Sequence, residues 1–560
     1  MGMMFVTAEN RILIQALALT TSQTAVVRWP LTIGSGDVIS LRACDMGRYN
    51  NATPSSINIP NAFTVVKAAI EDGTTSVPLF RSGSRTWVVN PGDDMHLAAN
   101  QTDLITAAQF GRTTFTQGMR LWVKMELTFA TTSMQLPFSD RVTTQVSGSQ
   151  VLYYTGATTL VNGVDDVGAF TTSGTAPNST TAGYCPLFIG YYAEATNGSV
   201  PKVIYGNGDS IGRGFGDTSF TPIGSGIFQR MLYGGGAANQ ILSGCNFCRD
   251  GSFSTAFLDN EWIAAPCQYA NIFWDEVGTN DFGASPGTTI SGANQLGRAK
   301  ATAVLARSYG IKVIIRTMLG LSTSSASTNW TSDADQTPAA GWASGANVAQ
   351  YNAGLTALVG TYIDFIVPMV AWHSLTDYYR FVSNGTNDYG TADGAHPTTV
   401  IVIPLAAENR SYVDAVNLNI LIPGEEKMAI TWEKTGADSV QLDKNRTFPL
   451  TGNLTLTASD SGKGYILKAG TSIVSLPATA PGLVYTFQYQ GKDGGGQLQL
   501  SPVAADGIGA AGSAAVNKDL ILATATIKQG DFVKIISGVG ATGITAWHLV
   551  DQRGIVTKEA

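Results

Sequence analysis

Charge is the scarcest ingredient of this 560-residue chain: Asp, Glu, Lys and Arg together make up only 13% of it, about half the usual share. Its surface must therefore be wetted mainly by hydroxyls, amides and backbone. The formal net charge is -7 and no dense Lys/Arg cluster occurs, which gives no support for a nucleic-acid partner, because phosphate binding needs a concentrated basic surface; none is expected. Cysteine is sparse as well: Cys44, Cys185, Cys245, Cys248 and Cys267 are an odd set in a long chain and do not form a disulfide framework. Cys245 and Cys248 make a C-x-x-C, but no second pair follows at zinc spacing, so they read as buried or incidental thiols rather than a metal or redox site. No apolar run reaches the roughly 18 residues a membrane helix needs. The opening MGMMFVTAENRILIQALALTT is interrupted by Glu9 and Arg11 and has no basic leader, so it does not read as a secretory signal.

Glycine, by contrast, is abundant at 62 residues, which suits a β-rich protein with many tight turns, of the sort found outside cells and in virus particles. A chain this long exceeds one hydrophobic core, and about two to four domains are expected. Up to about residue 200, short alternating runs such as Arg85–Val89, Arg120–Phe129 and Val151–Tyr154 predict an antiparallel β-sandwich over 61–200, behind an arm or small β subdomain over 1–60. From 201 to 424 the texture changes to strands alternating with helices. Val203–Tyr205 leads into a glycine-rich turn, and Tyr269–Trp274 is a second apolar run. Gly292–Tyr309 reads as an amphipathic helix ended by Gly310, Ile311–Ile315 as a strand, Asn347–Tyr362 as a helix and Phe365–Val367 as a strand. Such alternation predicts a mostly parallel sheet covered on both faces, with working residues on loops at the strands' carboxyl ends. From 425 to 560 the pattern is β again, as in Leu454–Thr457, Tyr465–Leu467, Ser472–Leu476 and Val484–Tyr489, and reads as an attachment or oligomerisation domain.

Three short motifs carry the chemistry. Gly208-Asp209-Ser210 directly follows the Val203–Tyr205 strand, where a serine on a tight turn can project its hydroxyl above the sheet. Gly278-Thr279-Asn280-Asp281 ends the apolar run from Tyr269, where an amide side chain can aim its donors at the same place. Asp393-Gly394-Ala395-His396 offers a D-x-x-H spacing, in which the aspartate can accept from one imidazole nitrogen while the other faces the serine. Of the four histidines, His96 and His548 fall in the flanking β blocks and His373 has no partner spacing, which leaves His396 as the base. Gly385-Thr386-Asn387-Asp388 repeats the letters of the second motif, but no apolar strand leads into it, so Asn387 reads as loop.

In this order the three motifs resemble the signature blocks of the SGNH, or GDSL-like, hydrolase superfamily across 201–424. The resemblance implies a flavodoxin-like α/β/α domain of parallel strands with esterase, lipase or carbohydrate-deacetylase activity, and no metal or other cofactor. It further implies Ser210 as nucleophile, His396 as base and Asp393 as its orienting carboxylate. The oxyanion would be met by the N–H of Ser210, the N–H of a glycine after the second strand and the Asn280 side chain. Gly244 is the glycine that matches, with Gly251 as substitute, while Asp209 and Asp281 are supporting residues.

Aromatic residues at Trp330, Trp342, Trp372, Tyr378 and Tyr379 either form a platform for sugar rings or pack the neighbouring helix. The upstream β block resembles the jelly-roll-like module that precedes some carbohydrate-active relatives. The segment Leu454–Gln488 resembles β modules of tailed-phage fibre and head-decoration proteins. Together these lead to the expectation of a trimeric, virion-associated hydrolase that removes O-acetyl groups from surface polysaccharide, without membrane insertion. The alternatives are a structural or adhesive virion protein that only binds glycans, and a secreted bacterial esterase.

Overall fold

The structure is a computed structural model. It describes residues 3–558 apart from 12–14, 20–23, 51–55, 60, 130–133, 139–147, 155–157, 180–182, 195–198, 219–220, 283–289, 319–320, 325–329, 340, 344, 375–376, 378, 419–446, 451, 461–463, 468, 480–482, 490–491, 493, 504–506, 510–514, 517–519, 529–530, 540–544 and 554–555. The chain divides into two compact units, Met1–Lys427 and Met428–Ala560. The 424/425 boundary expected from the sequence lies outside the described residues.

Two antiparallel sheets open the first unit. One runs Met4–Phe5, Leu187–Tyr192, Val38–Cys44, Ile105–Thr106; the other is built around Thr24–Thr32, which pairs with Arg120–Thr128 on one side and Gln150–Tyr154 on the other. In Arg120–Thr128 alternating apolar residues bury one face, as in Leu121, Val123, Met125 and Leu127. The expected separate arm over 1–60 is corrected here. Thr24–Thr32 is central in its sheet and almost wholly buried, so these residues belong to the sandwich block and cannot fold apart from it. The two sheets meet at buried Asp45, which accepts from Tyr184 Oη at 2.8 Å and Trp87 Nε1 at 2.7 Å.

The rest of the unit is a parallel sheet in the order Asn10–Arg11, Ser243–Asn246, Val203–Asn207, Ile272–Asp275, Lys312–Arg316, Phe365–Val367. Counted from Val203, the strand order is 2-1-3-4-5, the flavodoxin-like doubly wound order. Alternate side chains serve the two faces. Ile204, Trp274 and Ile314 pack with Phe228, Met231, Val402 and Leu405 of the helices Gly226–Tyr233 and Thr399–Ala415. On the other face Tyr205 stacks on Phe273 at 5.6 Å, and the helices Gly292–Ser308 and Asn347–Leu355 pack against each other. The second of these ends earlier than the apolar pattern predicts, passing into a 3-10 turn at Thr356–Leu358.

The sixth strand comes from far upstream. Asn10–Arg11 lies parallel beside Ser243–Asn246 and covers what would otherwise be an open edge. Asn10 ties this edge to the sandwich block: its Oδ1 accepts the Phe188 N–H at 2.7 Å and its Nδ2 donates to the Phe188 carbonyl at 3.1 Å.

In the second unit the strands Thr447–Leu450, Gly464–Leu467 and Val484–Tyr489 form one parallel set. Leu454–Thr455, Gly470–Ser475 and Gly496–Ser501 form another. The chain alternates between the two sets, so it coils, and Leu467, Val474, Tyr485, Phe487, Leu498 and Leu500 fill the space between.

A fragment covering 201–424 lacks the covering edge strand, and we expect it to melt below the Met1–Lys427 unit or to aggregate. Equal melting temperatures by calorimetry would refute a stabilising role for the edge. In the longer unit, Asn10→Ala should cost about 1–3 kcal/mol by leaving the buried Phe188 amide unpaired, measured by urea unfolding.

Candidate active site

The parallel register brings the motif residues to one end of the sheet. Ser210 follows the Val203–Asn207 strand and Asn280 follows Ile272–Asp275, its neighbour at the switch point of the strand order, where doubly wound sheets leave a crevice. His396 arrives from the loop before the Thr399–Ala415 helix. Its Nε2 lies 2.8 Å from Ser210 Oγ, and its Nδ1 lies 2.6 Å from Asp393 Oδ2. The other oxygen of Asp393 accepts the N–H groups of Ala395 at 2.9 Å and His396 at 2.8 Å. One carboxylate thus fixes both the imidazole and the backbone that carries it. Burial alone would raise the Asp393 carboxyl, but these hydrogen bonds from His396 and Ala395 outweigh it and hold the group at about 2. Asp393 therefore stays an anion opposite the imidazole through any ordinary assay range.

Donors for an oxyanion gather at the same end. The Ser210 N–H donates to no protein acceptor among the described residues, whereas its neighbours on the turn do: Asp209 and Gly212 N–H to Glu276, and Ile211 N–H to Asp209. Asn280 is half-buried and its Nδ2 donates to the Ser252 carbonyl at 3.0 Å, which leaves its second hydrogen for a ligand. Gly244 does not join them. It is level with Ile204, well below Ser210, its N–H donates to Thr7 O at 3.1 Å, and a Cβ there would stand 2.5 Å from the Ile204 carbonyl. That glycine lets strands approach. Gly251 instead lies on the loop above, next to Ser252, and its N–H meets no acceptor among the described residues. Its loop is tied to the nucleophile turn by Arg249 N–H on Gly208 O at 3.0 Å and by the Asp250–Arg213 ion pair.

Asp209 and Asp281 are both buried. Asp209 caps the short Ser210–Arg213 helix through Ile211 N–H, and burial pushes its carboxyl up against the pull of Arg316. Asp281 accepts from Ser254 N and Oγ at 2.8 and 2.7 Å and from Arg298 at 2.5 Å, which fixes the loop that carries Asn280. Asn387 sits exposed on a turn. Trp330, Trp342 and Trp372 are buried, so they pack the domain and form no sugar platform; Tyr379 is half-buried, and Tyr378 lies outside the described residues. The exposed aromatic at the site is Phe215, which motif reading passes over. It is 45% exposed and its ring centroid lies 4.4 Å from that of His396. Gly216, in the left-handed region at φ 87°, lets the Phe215 loop pass His396 and Pro397, where a Cβ would stand 2.6 Å from the Pro397 carbonyl. Glu276 and Arg316 were also missed. Their signal is a charged residue ending an apolar strand, in Trp274-Asp275-Glu276 and Ile315-Arg316.

All five cysteines are free and buried, and burial raises the Cys248 thiol well above its ordinary range, so it is a poor nucleophile. Among the described residues no His, Cys, Asp and Glu side chains cluster as metal ligands, and no helix is long and apolar enough to cross a membrane.

No family profile and no curated protein sequence matches this chain. Solved structures that resemble part of it include a lipase/acylhydrolase from Enterococcus faecalis, with 16% identity over 38% of this chain and 95% of that one, at a TM-score of 0.28. A GDSL-like lipase from Bacteroides thetaiotaomicron shows 16% identity over 38% and 88%, at 0.25. A catalytic mutant of an acetylxylan esterase from Geobacillus stearothermophilus shows 13% identity over 38% and 94%, at 0.28. At such TM-scores the case for an activity rests on the side chains described above.

Asp275, beside the site, accepts from Asn207 Nδ2 at 2.9 Å, and burial pushes its carboxyl up to about 7 despite that bond. A raised carboxyl contributes stability while protonated, so the contribution is complete below its unfolded value of about 4 and is lost as pH rises through about 7. Asp275→Asn should flatten the fall in melting temperature between about pH 4 and pH 7. A variant that melts with the wild-type pH slope would refute this protonation.

Proposed function

We propose that the chain is a serine-dependent carboxylic-ester hydrolase. The observation that carries this reading is the continuous relay Ser210 Oγ–His396 Nε2 and His396 Nδ1–Asp393, with unengaged N–H groups beside it. Ser210 Oγ attacks the ester carbonyl carbon while its proton passes to His396 Nε2. The Ser210 and Gly251 N–H groups and the Asn280 amide receive the oxyanion, each such donor contributing about 3 kcal/mol to the transition state. The carbonyl–oxygen bond to the alcohol then breaks and His396 returns the proton to that alcohol, leaving an acyl-serine. Water, deprotonated by the same imidazole, attacks the acyl carbon and releases the acid and Ser210. Asp393 stabilises the imidazolium that forms in each half.

For the substrate we infer a short acyl ester, such as acetate, on a glycan. Phe215 supports this: an exposed ring against the catalytic imidazole offers an apolar face to a sugar that bears the leaving oxygen. Placement on a virus particle and a trimeric assembly belong to the same proposal, supported by the low charge, the glycine content and the β architecture of the second unit.

p-Nitrophenyl acetate and octanoate test the reaction. Wild type should favour acetate, and Ser210→Ala and His396→Ala should each lose at least about a thousandfold in kcat/KM, with Asp393→Asn losing less. Ser210→Ala protein that is folded by circular dichroism yet hydrolyses acetate as wild type does would refute the mechanism, and a preference for octanoate would refute the short-acyl assignment. Phe215→Ala should raise KM for acetylated oligosaccharides by about three- to tenfold, more than for p-nitrophenyl acetate; an equal effect on both would remove Phe215 from sugar recognition.

A further inference from the structure

Beneath the nucleophile lies an ion pair that takes no part in the proton relay. Glu276 and Arg316 are both fully buried and meet through Glu276 Oε1. The second oxygen, Oε2, accepts the N–H of Asp209 at 2.7 Å and of Gly212 at 3.1 Å, and Asp209 Oδ1 accepts that of Ile211 at 3.0 Å. Carboxylates therefore engage the amides on either side of Ser210. The fit leaves no spare room. A Cβ on Gly208 would stand 2.5 Å from Glu276 Oε2 and 2.7 Å from Cys248 Sγ, and one on Gly212 would stand 2.8 Å from each.

We propose that Glu276 is a positioning residue for the nucleophile: by holding the Asp209 and Gly212 N–H groups it fixes Oγ against His396 and leaves the Ser210 N–H available to the oxyanion. The inference rests on the serine-hydrolase reading above. Its chemistry explains why the pair is charged. A lone carboxylate in a dry site takes up a proton, and a protonated oxygen could no longer accept two N–H groups. Arg316 opposes that uptake, and bonds to an ionised acceptor are the stronger ones. Burial pulls the Arg316 guanidinium down to about 10 against the opposing pull of Asp209, and Tyr351, Asp275 and Cys248 also face it.

The test removes the buried charge while varying the acceptor. In Glu276→Gln/Arg316→Met the amide oxygen can still receive both N–H groups; in Glu276→Ala/Arg316→Met nothing can. Folding is checked by circular dichroism, and the readouts are kcat and KM for p-nitrophenyl acetate and the rate at which a fluorophosphonate labels Ser210. The Ala double variant should lose about a hundredfold in kcat and labelling, the scale of a small misplacement of reacting groups, with KM within about threefold of wild type. The Gln double variant should recover to within about tenfold of wild type. Gly212→Ala, which keeps the pair but crowds it, should fall in kcat in the same way. Equal rates in the two double variants, or wild-type kcat in Gly212→Ala, would overturn the positioning role. A wild type inert to both ester and fluorophosphonate would instead overturn the hydrolase reading on which it rests.

Discussion

The site depends first on the parallel pairing of Val203–Asn207 with a strand on each side. Pairing with Ser243–Asn246 lifts the Phe247–Ser252 loop beside the nucleophile turn, and pairing with Ile272–Asp275 brings Asn280 to the same rim. Because all three strands run in one direction, their following loops converge at the reversal of strand order, the point at which doubly wound sheets place their ligand sites. The backbone hydrogen bonds from Phe247 to Gly206 and from Arg249 to Gly208 continue the pairing past the strand ends. The Ser210 turn is therefore an extension of the sheet rather than a free loop, and its geometry inherits the rigidity of the core.

That rigidity comes with an unusual concentration of buried acid. Asp209, Asp275, Glu276 and Asp281 all lie within the protein at the rim of the sheet, and Arg316 and Arg298 answer them from neighbouring elements. Buried charges of this kind contribute little net stability, because desolvation offsets their attraction. What they supply is a full set of acceptors for backbone N–H groups that would otherwise be free near the nucleophile. In a chain with so few charges, several have gone where water is absent.

The N-terminal segment shows how far one short strand can reach. Asn10–Arg11 completes the parallel sheet while Thr24–Thr32 enters the antiparallel block, and Thr7 O takes the N–H of Gly244. A two-residue strand carries no periodicity, so nothing in its letters marks it as a partner for residues more than two hundred positions away. The coiled alternation of strands in the second unit was equally hidden: the segments at Tyr465–Leu467 and Val484–Tyr489 read as strands, but their parallel pairing through an intervening strand has no local signature.

The letters of the chain by themselves determined the strand and helix alternation over 201–424, the glycine turn after Val203 and the identities of Ser210, Asn280, Asp393 and His396. Hydrophobic period, turn chemistry and short motifs are local properties, and they can be read along the sequence. Tertiary structure alone decided which of the two glycines stands on the loop beside the Ser210 turn, since that depends on strand register: Gly244 lies inside the sheet and Gly251 above it. It also decided that three tryptophans pack the core while Phe215 meets solvent beside His396, and that Glu276 and Arg316 meet beneath the nucleophile. Each of these is a matter of which distant residues share one small volume, and only the packing of the whole domain determines that.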